Sequence, residues 1–84
     1  MFSLDFSNKA KKYLHKCDSV LRERIIDKIE QLKDDPVPHN AVSVSGEEKT
    51  FRIRIGDQRV LYKVKWNEKI ILVAKIDKRP RAYQ

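Results

Sequence analysis

Arg52 and Arg54 stand two residues apart in the run Phe51-Arg52-Ile53-Arg54-Ile55, and Arg59 follows after Gly56-Asp57-Gln58. At the two-residue period of a strand, Arg52 and Arg54 share one face, as do Arg59, Lys63 and Lys65 on the strand that follows. Neither strand interleaves an acid on that face, whereas a merely solvated face mixes signs. Lys75, Lys78, Arg79 and Arg81 add to the set, with Tyr83 beside them. Residues 49–84 carry eleven Lys or Arg against three acids, a charge of +8, while residues 1–48 carry −1. Such one-sided charge attracts a polyanion, RNA first among them. An aromatic flanked by arginines can stack on a base, or else pack on the core as terminal aromatics do. Arg59 has a competing structural reading as a salt-bridge partner of Asp57 or of a helix acid.

The other reactive side chains fall into no such pattern. His15 and His39 have no partner at ligand or triad spacing, and Cys17 has no neighbouring base. Asp34, Asp35, Glu47 and Glu48 flank loops. No metal site and no phosphate-cradling glycine loop is expected, and no cofactor.

The elements that must position the cations read clearly. Phe2–Phe6 alternates as a short half-buried strand. Ser7 is placed to cap a helix over 8–15, and Asp18 or Ser19 a second one. There Leu21, Ile25, Ile29 and Leu32 make one apolar stripe, widened by Ile26. Asp34-Asp35-Pro36-Val37-Pro38 ends that helix, since proline excludes helical geometry from the residue before it. A loop follows, with a short extended piece at Val42–Val44. The period then changes to two: Phe51, Ile53 and Ile55 face the core, Gly56-Asp57 turns, and Arg59–Trp66 forms a strand with Val60, Tyr62, Val64 and Trp66 on the core face. Asn67-Glu68 turns again. Ile70–Ala74 is apolar on both faces and belongs near the sheet centre. Pro80 blocks a regular ladder beyond. The expected fold is α+β, in the order β-α-α-β-β-β, with two N-terminal helices packed on one face of a mainly antiparallel sheet.

Length fits one domain over 1–84. A chain this short buries only about 60–65% of its unfolded surface, so its stability is modest. A single cysteine fits a reducing, cytoplasmic setting. No apolar run of about 18 residues predicts a membrane span, and Met1–Phe6 is too short and acidic for a signal peptide.

The run Arg52-Ile53-Arg54-Ile55-Gly56-Asp57-Gln58-Arg59-Val60-Leu61-Tyr62, with Val73 through Lys78-Arg79 and Tyr83, resembles the RelE branch of the RelE/ParE toxin superfamily. The resemblance covers nearly the whole chain. It implies a microbial-ribonuclease-type fold and the toxin of a type II toxin–antitoxin pair. The implied activity is a ribosome-dependent, metal-independent endoribonuclease that cuts mRNA in the A site by 2′-OH attack on the adjacent phosphate. The implied partners are a RelB-like antitoxin, in a heterodimer or a 2:2 heterotetramer, and the ribosome with its mRNA, but no membrane. The superfamily also holds ParE-like inhibitors of DNA gyrase, and a non-catalytic RNA-binding member is a third class.

Carried over by position, Arg59 would hold the scissile phosphate, Arg79 would meet transition-state charge and the leaving group, and Tyr83 would orient a base. Arg52 and Arg54 stand where relatives place two lysines. The remaining cations, Lys49, Lys63, Lys65, Lys75, Lys78 and Arg81, would contact RNA. Two departures matter. Arginine does not give up its proton, so Arg52 and Arg54 are expected to act by charge alone; the group that takes the 2′-OH proton is thereby left unassigned. Tyr83 also lies only four residues after Arg79, on a path stiffened by Pro80.

Overall fold

The computed structural model describes residues 1–44, 46–47 and 49–78. Its elements are β1 (Ser3–Phe6), α1 (Asn8–Lys16), α2 (Ser19–Gln31), β2 (Val42–Ser43), β3 (Thr50–Ile55), β4 (Gln58–Lys65) and β5 (Ile70–Lys78). Side-by-side order in the one sheet is β1-β5-β4-β3-β2. β1 runs parallel to β5, and every other pair is antiparallel. The expected α+β order holds, and the extended piece after the helices forms the short edge strand β2.

Both helices begin on the caps their sequences offer. The Ser7 hydroxyl accepts from the Ala10 amide at 3.1 Å, and an Asp18 carboxylate oxygen accepts from the Leu21 amide at 2.8 Å. Arg22 of α2 ties down carbonyls at the C-terminus of α1, among them that of Leu14, which also accepts from the Cys17 amide at 3.2 Å. The Arg22 Nε donates to the Leu14 carbonyl at 2.8 Å and its Nη2 to the Cys17 carbonyl at 2.7 Å. A cation at this end also complements the helix dipole.

α1 lies over β5, and α2 packs toward β3. Between helices and sheet, Ala10, Ile25, Ile29 and Leu32 meet Ile53, Val60, Tyr62, Val64, Ile71, Val73 and Ile76, all buried. The buried Tyr62 hydroxyl donates to the Pro36 carbonyl at 2.7 Å, which fastens the segment after α2 to the core. At the opposite end of the sheet, the Tyr13 hydroxyl of α1 donates to Oε1 of buried Gln58.

Trp66 departs from expectation. β4 stops at Lys65, and Trp66 belongs to the turn, 44% exposed, its ring meeting Phe2 edge-on with centroids 5.6 Å apart. The turn Trp66–Lys69 contains no glycine, and Lys69 supplies the left-handed residue at φ 57°. Pulling Trp66 out of the ladder is what lets four residues close this turn. At the Gly56-Asp57 turn, Gly56 holds φ +60°, and a Cβ there would come within 3.1 Å of the Arg24 guanidinium.

Candidate nucleic-acid interface

The face of the sheet opposite the helices carries two side-chain rows across three strands. One row is Arg52 on β3, Leu61 on β4 and Lys75 on β5. The next is Arg54, Arg59 and Asp77. Rows two residues apart lie about 7 Å from each other along the strands, and neighbouring strands about 4.8 Å apart. Four cations thus converge on an area roughly 10 Å across. A depression of about 330 Å³ opens there, walled by Arg52, Arg59, Lys75 and Asp77 and by Ser43 and Val44 from the β2 side. A second depression of similar size, beside Asn40 and Val42, is lined by Arg52 and Arg54.

Lys75 and Asp77 reach this face through an irregularity. Tyr62 pairs with Val73 and Leu61 with Lys75, so Ala74 is an extra residue, a β-bulge. Strict alternation from buried Ile71 and Val73 would send Lys75 and Asp77 into the core; the bulge turns them outward and points Ile76 inward. Ser7 secures it. Its hydroxyl donates to the Ala74 carbonyl at 2.6 Å, and its amide to the Val73 carbonyl at 3.0 Å. The residue that caps α1 therefore also pins the bulge.

Arg59 grips Asp77 with two hydrogen bonds, Nε to Oδ1 at 2.9 Å and Nη2 to Oδ2 at 3.1 Å. Lys75 Nζ stands 3.5 Å from Oδ2. The side chains of Arg59 and Asp77 are 31% and 25% exposed, enough shelter for the bidentate pair to hold a fixed geometry. Two expectations are corrected here. The cationic face does carry acids: Asp77 among the arginines, and Asp5 on β1, the partner of Leu72. Among the described residues, Arg59 pairs not with Asp57 or a helix acid but with a β5 residue eighteen positions on. A bulge leaves no mark in an alternation pattern. The available signal was the double apolar run Ile70–Ala74 giving way to Lys75-Ile76-Asp77.

The other anticipated cations are dispersed. Lys63 and Lys65 are exposed on the same face, farther along β4 toward the Trp66 turn. Lys49 precedes β3 in the left-handed region at φ 59°. Lys78 pairs in register with buried Gln58 and stands on the helix side of the sheet end. Arg79, Arg81 and Tyr83 lie outside the described residues. Among the described residues no group of three His, Cys, Asp or Glu is placed to hold a metal ion, and no helix is long and apolar enough to cross a membrane.

Two phenols titrate abnormally. Burial, with a smaller effect from Asp35, raises Tyr62 to about 12. Burial also raises Tyr13, assisted by the negative charge of Cys17 and of Asp77 when ionised.

Comparison with known proteins agrees with this architecture. Residues 4–83 match the family described as the ParE toxin of type II toxin–antitoxin systems. A Methanocaldococcus jannaschii protein named as the toxin RelE1 is 39% identical over 59 residues, spanning 67% of this chain and 66% of that relative. The RelE–RelB complex of Pyrococcus horikoshii superposes with a TM-score of 0.84 at 26% identity, over 95% of this chain and 97% of that one. The isolated Escherichia coli RelE toxin gives a TM-score of 0.86 at 23% identity, over 96% and 87% of the two chains. With its family match running almost end to end and its fold shared with RelE toxins, the chain belongs to the RelE/ParE toxin superfamily.

Proposed function

We propose that this chain is a toxin that cuts mRNA in the ribosomal A site, in the cytoplasm, and that a RelB-like antitoxin restrains it. The observation that carries the reading is the pair of cross-strand rows that gathers Arg52, Arg59 and Lys75 around one depression, with Arg54 lining the next one beside Arg52. In-line attack of a ribose 2′-OH on the adjacent phosphate builds negative charge on the phosphorane oxygens, and positioned cations lower that barrier most. Arg59, held by Asp77, presents its guanidinium in a fixed plane to the phosphate, with Arg52 on the neighbouring strand. Arg54 adds charge from the same row. Arg79 would meet the leaving 5′ oxygen and Tyr83 would stack on a base; Lys63, Lys65 and Arg81 would follow the RNA backbone. The antitoxin follows by analogy with the P. horikoshii complex, whose two chains are a RelE and a RelB.

Primer extension on translated mRNA after induction tests the reading, with cuts expected inside A-site codons. A second reading has its own support, because the matching family is described by its ParE members. It predicts inhibition of gyrase supercoiling with no cuts in mRNA. Absence of cuts in translated mRNA overturns the first reading whatever the gyrase result.

A further inference from the structure

The arginines that occupy positions 52 and 54 cannot accept a proton at any ordinary pH, so a site built on them lacks a base. The open face supplies one. Asp77 lies on the same row as Arg54 and Arg59 and lines the same depression as Arg52, Arg59 and Lys75. A carboxylate has about four acceptor positions. Arg59 takes one on each oxygen, and Lys75 approaches Oδ2 alone, so Oδ1 keeps a second lone pair. The bulge at Ala74 is what brings this carboxylate to the open face at all.

We propose that Asp77 is the catalytic proton acceptor of the phosphodiester cleavage, holding Arg59 on the phosphate while it takes the 2′-OH proton. The assignment rests on the ribonuclease reading given above. As the O2′–P bond forms, the 2′ proton passes to a carboxylate oxygen of Asp77. As the P–O5′ bond breaks, the 5′ oxygen takes a proton from solvent water. The proton on Asp77 then returns to solvent, and the products are a 2′,3′-cyclic phosphate and a 5′-OH. Among the described residues, the charged and titratable groups around Asp77 are Arg59 from β4, Arg52 and Arg54 from β3, Lys75 on its own strand, with Lys78 next in chain on the helix side, and Tyr13 from α1. The arginines stay charged throughout the acid range, so loss of rate toward low pH reports the base.

The test is single-turnover cleavage on mRNA-programmed ribosomes at saturating toxin, across the acid pH range, for wild type, Asp77→Asn, Asp77→Glu, Arg59→Ala and the Arg59→Ala/Asp77→Asn double variant. Asp77→Asn, nearly isosteric and still able to accept from Arg59, is expected to slow cleavage about a hundredfold or more and to abolish the acid limb. Asp77→Glu keeps the charge and is expected to keep the limb. Adding Asp77→Asn to Arg59→Ala is expected to slow cleavage further. An Asp77→Asn rate within threefold of wild type overturns the proposal. So does a slowed Asp77→Asn that retains the acid limb and adds nothing to Arg59→Ala, since Asp77 would then merely orient the arginine. Failure of the wild-type chain to cleave at all overturns the ribonuclease reading itself, and this assignment with it.

Discussion

Arg59 and Tyr62 sit three positions apart on β4, on opposite faces, and the two faces ask different things of them. On the proposed reading, Arg59 on the open face serves a transition state more than stability, because an ion pair that solvent still reaches contributes only modestly to folding. Arg59→Ala is expected to lower mRNA cleavage by about a hundredfold to a thousandfold in single-turnover assays while barely moving the unfolding midpoint. On the core face Tyr62 is a stability residue with a measurable titration. Its phenol ionises at 10.0 when unfolded and at about 12 in the fold. Below the lower value both states are protonated and the contribution is intact. As pH rises from about 10 to 12 only the unfolded chain ionises, and on the order of 2 kcal/mol of stability is lost. Tyr62→Phe is expected to cost about 1 kcal/mol at neutral pH, by losing the bond to the Pro36 carbonyl, and to flatten that alkaline slope in denaturant titrations.

At the scale of elements, local chemistry was legible where it repeats and illegible where it breaks. The cap Ser7, the stripe Ile25-Ile29-Leu32 and the alternation Ile53-Ile55 could be read directly, and the second cap to within Asp18 or Ser19, because each is a periodic or positional preference of the backbone itself. The bulge at Ala74 could not, since it depends on which strand lies alongside. Its consequence, Asp77 facing Arg59, was hidden with it. Trp66 was misplaced for the same kind of reason: in the turn it joins, its ring meets Phe2 from the far end of the chain, a contact no local pattern records. Ser7 joins both kinds of information, being a cap from its own sequence and a bulge clamp only through the fold. Ser7→Ala is therefore expected to cost more than an ordinary cap, about 2 kcal/mol in chemical denaturation, as it frees the Ala10 amide and the Ala74 carbonyl together. It should also slow cleavage, because the bulge sets the direction of Lys75 and Asp77.

For the molecule as a whole, the formal charge of +7 conceals an uneven distribution that the sheet makes directional. The helical half is nearly neutral, and the open face gathers Arg52, Arg54, Arg59 and Lys75. If these four each neutralise one phosphate of single-stranded RNA, the logarithm of affinity falls with the logarithm of salt at a slope of about −3. Arg52→Ala is expected to reduce that slope by about 0.7 in fluorescence anisotropy with a short RNA, whereas Lys28→Ala on the helical side should leave it unchanged. The cationic face as a property of the molecule was visible in the sequence. Its division into two rows with a carboxylate at the end of one was not.

β5 lies between β1 and β4, so the first strand and the last are neighbours: Ser7 and Ala74, which hold each other, are 67 positions apart. Ribosomes add about 5–20 residues each second, so Ser7 waits roughly 3 to 13 s for its partner to be made. Until then Asp77 does not exist, and β1 lacks the strand it pairs with. The nascent chain thus carries its arginines past its own ribosome unassembled. Birth order in this topology acts as a delay, because the open face gains Lys75 and Asp77 only once β5 has been made, which leaves time for another newly made chain to meet it.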